Sequence, residues 1–216
     1  KGAVCLTNEQ GTQRLRRHSR LLKAGWELHF YYNPDVLGKI VPAAELIADE
    51  KSYSIWNKPY GMLSQGSKWS DHCTLYRWAE QKLQPERASF IVHRLDRAAN
   101  GLMIVAHSKK IAAKFSKMFA ERNIVKKYRA NVVERFDVKN IENPHTELLP
   151  YNTRLKITAP IDDKPACSYV ELLGYNEEQN TSLLLIEIES GRKHQIRKHL
   201  AELGFPVIGD RLYGEN

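Results

Sequence analysis

One carboxylate is distinguished by its neighbours. Asp96 lies between Arg94 and Arg97, shortly before Gly101 and the apolar residues 102–106. Neighbouring cations favour the ionised form of a carboxyl group, and an ionised carboxylate can act as a nucleophile or as a general base. The same residues also fit a loop salt bridge between Asp96 and Arg94 that carries no chemistry. The residue types alone leave both interpretations open.

A second segment, residues 191–199, is rich in cations. An exposed basic face of a helix would explain it, and so would a surface that binds the phosphates of a nucleic acid. Arg197 is next to the apolar positions of the predicted helix, so we expect its side chain to be partly buried and to need an anionic partner. The cations of this segment are Arg192, Lys193, His194, Arg197, Lys198 and His199.

An aromatic residue stands among cations in the run 126–129, where Lys126 and Lys127 precede Tyr128 and Arg129 follows it. A tyrosine in this setting can stack on a nucleobase while its neighbours hold phosphate. An ordinary strand tyrosine that lies half in the core fits the same residues. The pattern leaves this choice open as well.

Composition narrows the function classes. The chain has 33 Lys and Arg residues against 25 Asp and Glu, a formal net charge of +8, which suits a polyanionic partner such as nucleic acid. Its three cysteines are odd in number and form no CxxC pair, so we expect a reducing compartment, the cytoplasm. The sequence contains neither an apolar run of membrane-spanning length nor a signal-peptide pattern.

Motifs typical of metal and cofactor enzymes are absent from the sequence. It contains no GxGxxG, no GxxxxGK[ST] and no GxSxG. His194 and His199 are five residues apart, which is not the spacing of the HExxH ligand pair. The HxE and PCxxC pair of the zinc deaminases is also missing. We therefore expect neither a metal nor a cofactor.

Apolar periodicity predicts an α+β fold, with a mixed, mostly antiparallel sheet flanked by helices and loops. Helices are predicted over 74–83, from a Ser108 cap to about 121, and over 192–203 with Gly204 at the end. We interpret 42–51 as a connector and place a boundary near residue 50, between a small N-terminal segment 1–50 and a domain 51–216. The predicted strands are 26–32, 53–56, 102–106, 124–133, 154–158, 168–173, 183–188 and 206–208.

Five segments, in the same order, resemble the motifs of the RluA-type pseudouridine synthases. Ala99 and Asn100 stand where that family has Thr-Ser, and Lys193 stands where it has Thr. Residues 22–25 resemble only the final segment of the small RNA-binding domain that begins many relatives, so segment 1–50 is interpreted as a remnant of it. The cations in 14–20 fit either a solvated turn or an RNA-contacting arm. The five motifs are NKPYG at 57–61, HRLD at 93–96 followed by GLMIVA at 101–106, FAER at 119–122 with KKYRA at 126–130, GRKHQIRKHL at 191–200, and GFPVIGDRLYG at 204–214.

The resemblance implies a reaction and a set of site residues. The bond from ribose to the uracil nitrogen breaks, the base turns, and it rejoins through carbon 5 without a cofactor. Asp96 would be the catalytic carboxylate, Arg197 would pair with it, and Tyr128 would stack on the uracil. The uracil must be flipped out of its helix, and Arg94 would fill the space. Phosphate contacts are expected from the lysines at 109–117 and from Lys58, Lys127, Arg192, Lys193 and His194.

The resemblance also implies RNA, ribosomal or transfer, as the partner. We expect a cytoplasmic monomer that does not contact membranes. One alternative is a non-catalytic RNA-binding or RNA-folding protein on the same scaffold; the joint presence of Asp96, Tyr128 and Arg197 argues against it. A DNA-directed base-flipping enzyme such as a glycosylase is another, and the HRLD context does not match it.

Overall fold

The computed structural model describes residues 3–15, 20–40, 42–66, 71–150 and 153–214. The chain divides into two compact units, Lys1–Phe119 and Ala120–Asn216. Within the described ranges, no helix is both long enough and apolar enough to cross a membrane.

Unit 1 begins with a small antiparallel sheet. Its strands are β1 (Ala3–Asn8), β2 (Gly11–Arg14) and β3 (Glu27–Tyr31), in the order β2-β1-β3. The short helix α1 (Pro34–Leu37) follows. Leu6 is buried, but most side chains of β3 are exposed, so this sheet has little apolar core of its own.

A second antiparallel sheet forms the core of unit 1, with strands β4 (Glu45–Asp49), β5 (Tyr53–Lys58), β6 (Phe90–Ile91) and β7 (Gly101–Ala106) in the order β4-β5-β7-β6. Alternate residues of β5 are buried, as a strand that packs through one face requires. The helix α2 (Leu75–Lys82) is capped by the Thr74 hydroxyl and contributes Leu75 and Ala79 to the core. These elements hold the loop that contains Asp96.

The helix α3 (Lys109–Ala120) begins after Ser108, whose Oγ accepts a hydrogen bond from the N–H of Ile111. Its apolar side packs in unit 1 through Phe115, which meets Tyr53 at a ring distance of 5.1 Å. The lysines of the opposite side are exposed, as the helical spacing predicted. These exposed lysines are Lys109, Lys110, Lys114 and Lys117.

In its described residues, unit 2 has a five-stranded antiparallel sheet with one α-helix against it. The strands are β8 (Lys127–Val133), β9 (Thr146–Leu148), β10 (Arg154–Ile157), β11 (Ser168–Asn176) and β12 (Thr181–Ile188), in the order β8-β12-β11-β10-β9. The helix α4 (Gln195–Glu202) buries His199 and Leu200 against this sheet. Val138–Asn140 forms a 3₁₀ turn.

The α+β fold and most predicted elements are confirmed, but three predictions are wrong. The predicted strand 206–208 is a single bridge between Val207 and Val132. The predicted connector 42–51 contains β4, which pairs with β5. The last helix starts at Gln195 instead of residue 192, because His194 adopts a left-handed backbone conformation with φ of 56°. The cations at 16–18 lie outside the described residues, and the domain boundary near residue 50 stays a prediction.

Candidate active site

The loop that carries Asp96 is tied to a neighbouring loop on both sides of the carboxylate. The N–H of Leu95 donates to Ser64 Oγ at 3.0 Å, and that hydroxyl donates to the Leu95 carbonyl at 2.6 Å. The N–H of Gly61 donates to the Arg97 carbonyl at 2.8 Å. The backbone is therefore anchored one residue before and one residue after Asp96, whose side chain is half-buried.

Lys58 is a buried cation close to this loop. Its Nζ donates to the carbonyls of Pro59 at 3.0 Å and Met62 at 2.8 Å, and its side chain has no exposed surface. Burial lowers the pKa of Lys58 to about 8, while the charge of Asp96 acts in the opposite direction. This placement argues against the predicted contact between Lys58 and an RNA phosphate.

His93 fixes the start of the loop. Its Nε2 accepts a hydrogen bond from the N–H of Ile104 at 2.9 Å, and its ring lies 4.8 Å from the ring of Phe119. Arg94, the next residue, is exposed, and Arg97 is exposed with its Nε bound to the Gly61 carbonyl at 3.2 Å. The predicted role of Arg94 in base flipping stays a prediction.

In unit 2, Arg197 is partly buried and pairs with a carboxylate, as expected. The structure shows this pairing with Asp210. Arg197 Nε donates to Asp210 Oδ2 and Nη2 donates to Oδ1, each at 2.6 Å. The Asp210 side chain is 2% exposed and that of Arg197 is 22% exposed. Hydrogen bonding by Arg197 lowers the pKa of Asp210 to about 2. The proposed pairing of Arg197 with Asp96 stays a prediction.

Asp210 also organises the turn that follows it. Its Oδ1 accepts hydrogen bonds from the N–H groups of Leu212 at 2.9 Å and Tyr213 at 3.3 Å. The ring of Tyr213 lies 5.0 Å from the Arg197 guanidinium carbon, and its hydroxyl lies 3.0 Å from His194 Nδ1. The motif 204–214, taken as sequence alone, assigned no role to Asp210 or Tyr213.

Gln195 anchors the turn that leads into α4. Its Oε1 accepts from Ser190 Oγ at 2.7 Å and from the N–H of Arg192 at 3.1 Å. Its Nε2 donates to the Cys167 carbonyl and to Ser168 Oγ, both at 2.9 Å. The fully used amide of Gln195 explains why this polar side chain is buried. Its place inside the cation-rich segment 191–199 gave no indication of that role.

The predicted RNA-contacting cations of unit 2 differ in their surroundings. Lys127, Arg192 and Lys193 are exposed, although Arg192 Nε also donates to the Pro165 carbonyl at 3.0 Å. His194 is half-buried against Tyr213. Contacts between these residues and RNA stay predictions.

Tyr128 is half-buried on β8, an edge strand of the unit 2 sheet. It lies opposite Ile186 in the pairing of β8 with β12, and it packs against the apolar core. A core tyrosine and a ring that presents one face to a base both fit this position, so its stacking role stays a prediction. In the described part of the chain, no group of three or more His, Cys, Asp or Glu residues is placed to hold a metal ion.

Comparison with known proteins decides the family. Residues 52–202 match the family model described as RNA pseudouridylate synthase. The chain belongs to this family. That match includes Asp96, Tyr128 and Arg197, whereas Asp210 and Tyr213 follow it in the chain.

Several curated pseudouridine synthases are similar over most of the chain. An uncharacterised RNA pseudouridine synthase of Synechocystis is 34% identical over 199 residues, which are 89% of this chain and 66% of that protein. The ribosomal large subunit pseudouridine synthase C of Rickettsia prowazekii is 33% identical over 82% of this chain and 59% of its own length. The dual-specificity RNA pseudouridine synthase RluA of Escherichia coli K12 is 29% identical, over 80% and 78%. The chain spans about half to two thirds of the length of the Synechocystis and Rickettsia proteins and of a homologue from Chloroflexus aurantiacus.

Solved structures of the same family share the fold. Human RNA pseudouridylate synthase domain containing 1 gives a TM-score of 0.62 at 22% identity, over 80% of this chain and 70% of that chain. Human RNA pseudouridylate synthase domain containing 4 gives 0.57 at 24% identity, over 79% and 69%. The fold expected from the motif resemblance is therefore confirmed.

Proposed function

We propose that this protein is an RNA pseudouridine synthase with Asp96 as its catalytic carboxylate. Family membership supports the reaction, and the anchoring of the Asp96 loop supports the residue. Hydrogen bonds at Leu95 and Arg97 hold the backbone on both sides of Asp96. A carboxylate that attacks a substrate atom must be held in place before the substrate arrives.

The reaction is an isomerisation in which atoms balance within the substrate. The bond between ribose C1′ and uracil N1 breaks, the base rotates, and a bond between C1′ and C5 forms. The hydrogen on C5 leaves to solvent, and N1 gains one. Asp96 drives this exchange as nucleophile or base, and Tyr128 stacks on the base and assists removal of the C5 proton.

We assign Arg197 to the support of Asp96, as the family resemblance implies. Its bonds to Asp210 fix the guanidinium in one orientation, so its remaining N–H groups are directed before RNA binds. Arg94 fills the space left by the flipped uridine. Phosphate contacts come from Lys127, Arg192, Lys193 and His194.

The substrate we propose is a uridine in ribosomal or transfer RNA. Relatives carry both names: a ribosomal large subunit pseudouridine synthase C in Rickettsia prowazekii and a tRNA pseudouridine synthase C in Yersinia pestis. A cytoplasmic location and a monomeric state belong to the same proposal.

Tritium release tests this function directly. Total RNA labelled at uracil C5 is incubated with wild type, with Asp96→Asn, and with Asp163→Asn as a control at an exposed carboxylate in unit 2. Release by wild type and the control, and not by Asp96→Asn, is the expected result. Absence of release from every RNA, with binding intact, would instead support a non-catalytic RNA-binding protein. Equal release by all three proteins would remove Asp96 from the mechanism.

A further inference from the structure

The turn that follows β5 presents an exposed aromatic ring. Tyr60 is 69% exposed, whereas Met62, two residues later, has no exposed surface. Gly61 between them has a φ of 84°, which allows the chain to turn sharply at this point. Single exposed apolar side chains are common on protein surfaces, so a function for Tyr60 has to be argued from its surroundings.

The backbone on both sides of Tyr60 is held by a buried cation. Lys58 Nζ donates to the Pro59 carbonyl at 3.0 Å and to the Met62 carbonyl at 2.8 Å. The turn is therefore fixed before any ligand arrives. A side chain on a fixed backbone binds its ligand at a lower entropy cost than one on a loop that must be ordered first.

The same turn is tied to the loop that carries Asp96. The N–H of Gly61 donates to the Arg97 carbonyl at 2.8 Å, and Arg97 Nε donates to the Gly61 carbonyl at 3.2 Å. Tyr60 and Asp96 are each one residue away from this bonded pair, so their Cα atoms lie within about 15 Å of each other. Successive nucleotides of a stacked strand are about 3.4 Å apart. The nucleotides that adjoin a uridine at Asp96 are therefore close enough to meet the Tyr60 ring.

The charge of this region suits an RNA strand. Arg97 is exposed, and its bond to the Gly61 carbonyl uses one of the five N–H groups of the guanidinium. Residues 57–64 contain no Asp or Glu, so the turn itself carries no acidic side chain that would repel a phosphate. An exposed ring and an exposed cation thus lie on two segments that are hydrogen-bonded to each other.

We propose that Tyr60 stacks on a base adjoining the target uridine while Arg97 contacts the phosphate beside that base. The inference rests on the proposed function for its substrate, and it adds a subsite that selects uridines with an unpaired neighbour. A uridine that leaves its stack deprives the next base of a stacking partner, and an aromatic ring replaces that partner without reading the sequence. A nucleotide is favoured over a protein segment as the occupant, because every internal uridine of an RNA brings neighbouring nucleotides with it.

The experiment separates stacking from phosphate binding. Protein carrying Asp96→Asn is titrated with two labelled oligomers of equal length. One is a single-stranded oligouridylate, and the other is a chain of abasic ribose phosphates that has the same charge and no bases. The test variant adds Tyr60→Ala. The control adds Tyr175→Ala, at a tyrosine of unit 2 whose hydroxyl donates to Asn180 Oδ1 at 2.6 Å.

Tyr60→Ala is expected to weaken binding of the oligouridylate about tenfold and binding of the abasic oligomer less than about twofold. Tyr60→Phe keeps the ring and should keep the affinity, as should the control. In the protein with Asp96 intact, Tyr60→Ala should raise KM for labelled total RNA about tenfold and leave kcat within about twofold.

The proposed phosphate contact has its own readout. Arg97→Gln should weaken binding of both oligomers and reduce the slope of log affinity against log salt by about 1. Arg97→Lys keeps the charge and should keep that slope. The control is Arg135→Gln, at an exposed arginine of unit 2, which should leave the slope unchanged.

Two results would overturn the proposal. Equal affinity of the Tyr60→Ala and Tyr175→Ala variants for the oligouridylate would show that the Tyr60 ring does not touch a base. An equal loss of affinity for the two oligomers would show that Tyr60 acts through the shape of the turn and not by stacking. Failure of the proposed function is read separately, from the absence of tritium release by the wild type, and it leaves the comparison of the two oligomers intact.

Discussion

Replacing Asp210 with asparagine removes the charge that faces Arg197 and leaves the size of the side chain nearly unchanged. Two bonds of 2.6 Å join the carboxylate to the guanidinium, and Asp210 is 2% exposed. The pKa of Asp210 lies at about 2 in place of 3.8, which corresponds to about 2 kcal/mol of folding stability at neutral pH. Arg197, which is partly buried, also loses its ion pair with Asp210, so we expect a total loss of about 2–3 kcal/mol.

Urea and thermal unfolding measure this loss, with Asp162→Asn as the matched control. Asp162 pairs with Lys198, which lies on the same helix as Arg197, but the side chain of Asp162 is 63% exposed. A surface pair contributes at most about 1 kcal/mol, whereas the loss at Asp210 should lower Tm by about 4–12 °C. Destabilisation of the two variants by the same amount would refute the reasoning.

The pH dependence supplies a second test of the Asp210 pair. Because the pKa of Asp210 is lower in the folded protein than in the unfolded chain, its stabilisation is present above about pH 4 and is lost as pH falls toward 2. The difference in unfolding free energy between wild type and Asp210→Asn should therefore be constant from pH 7 to about 5 and shrink below pH 4. A difference that persists unchanged at the acid end would assign it to packing.

Three further predictions concern buried polar groups. Ser64→Ala should lower the free energy of unfolding in urea by about 1–2 kcal/mol and should also lower kcat. The control is Ser89→Ala, at a buried hydroxyl with no hydrogen-bond partner among the described residues, which should change neither quantity. Equal effects of the two substitutions would show that the loop anchor does not support activity. Asp96→Asn should lower the pKa of Lys58 below about 8, since the carboxylate charge raises that pKa. NMR titration of Lys58 measures the change. An unchanged pKa would mean that the two charges do not interact. Burial lowers the pKa of His199, so the free energy of unfolding should fall as pH decreases through about 6.5. His199→Gln should reduce this pH dependence, measured by urea unfolding. An unchanged pH dependence would assign it to other groups.

Elements with strong periodicity were predictable from the sequence. The helices α2, α3 and α4 each have a marked apolar side. The strand β7 is a short apolar run that begins at Gly101 and is followed by His107. β4 was missed because Glu45–Asp49 contains residues that favour helices, and its strand conformation depends on pairing with β5. The hairpin of β1 and β2 was missed because few of its side chains are buried.

The motifs supplied the candidate site residues, but not the partners of Arg197 and Lys58 that the structure shows. Asp210 follows Arg197 by thirteen positions, and only the return of the chain after α4 brings the two side chains together. Lys58 was expected to contact an RNA phosphate, which requires an exposed ammonium group, but packing at the end of β5 buries it. The first case depends on tertiary contacts beyond α4, and the second on the turn after β5, which directs the carbonyls of Pro59 and Met62 at Lys58 Nζ.

The two anchors of the Asp96 loop also determine which substitutions the loop tolerates. The bonds at Leu95 and Arg97 use main-chain groups of the loop, and the turn closes through the N–H of Ala99 and the carbonyl of Asp96. None of these bonds depends on the side chains at 99 and 100, where the sequence departs from the family pattern. Residues 99 and 100 can therefore be substituted while the backbone around Asp96 keeps its conformation. The entropy cost of ordering this loop arises during folding and not when RNA binds.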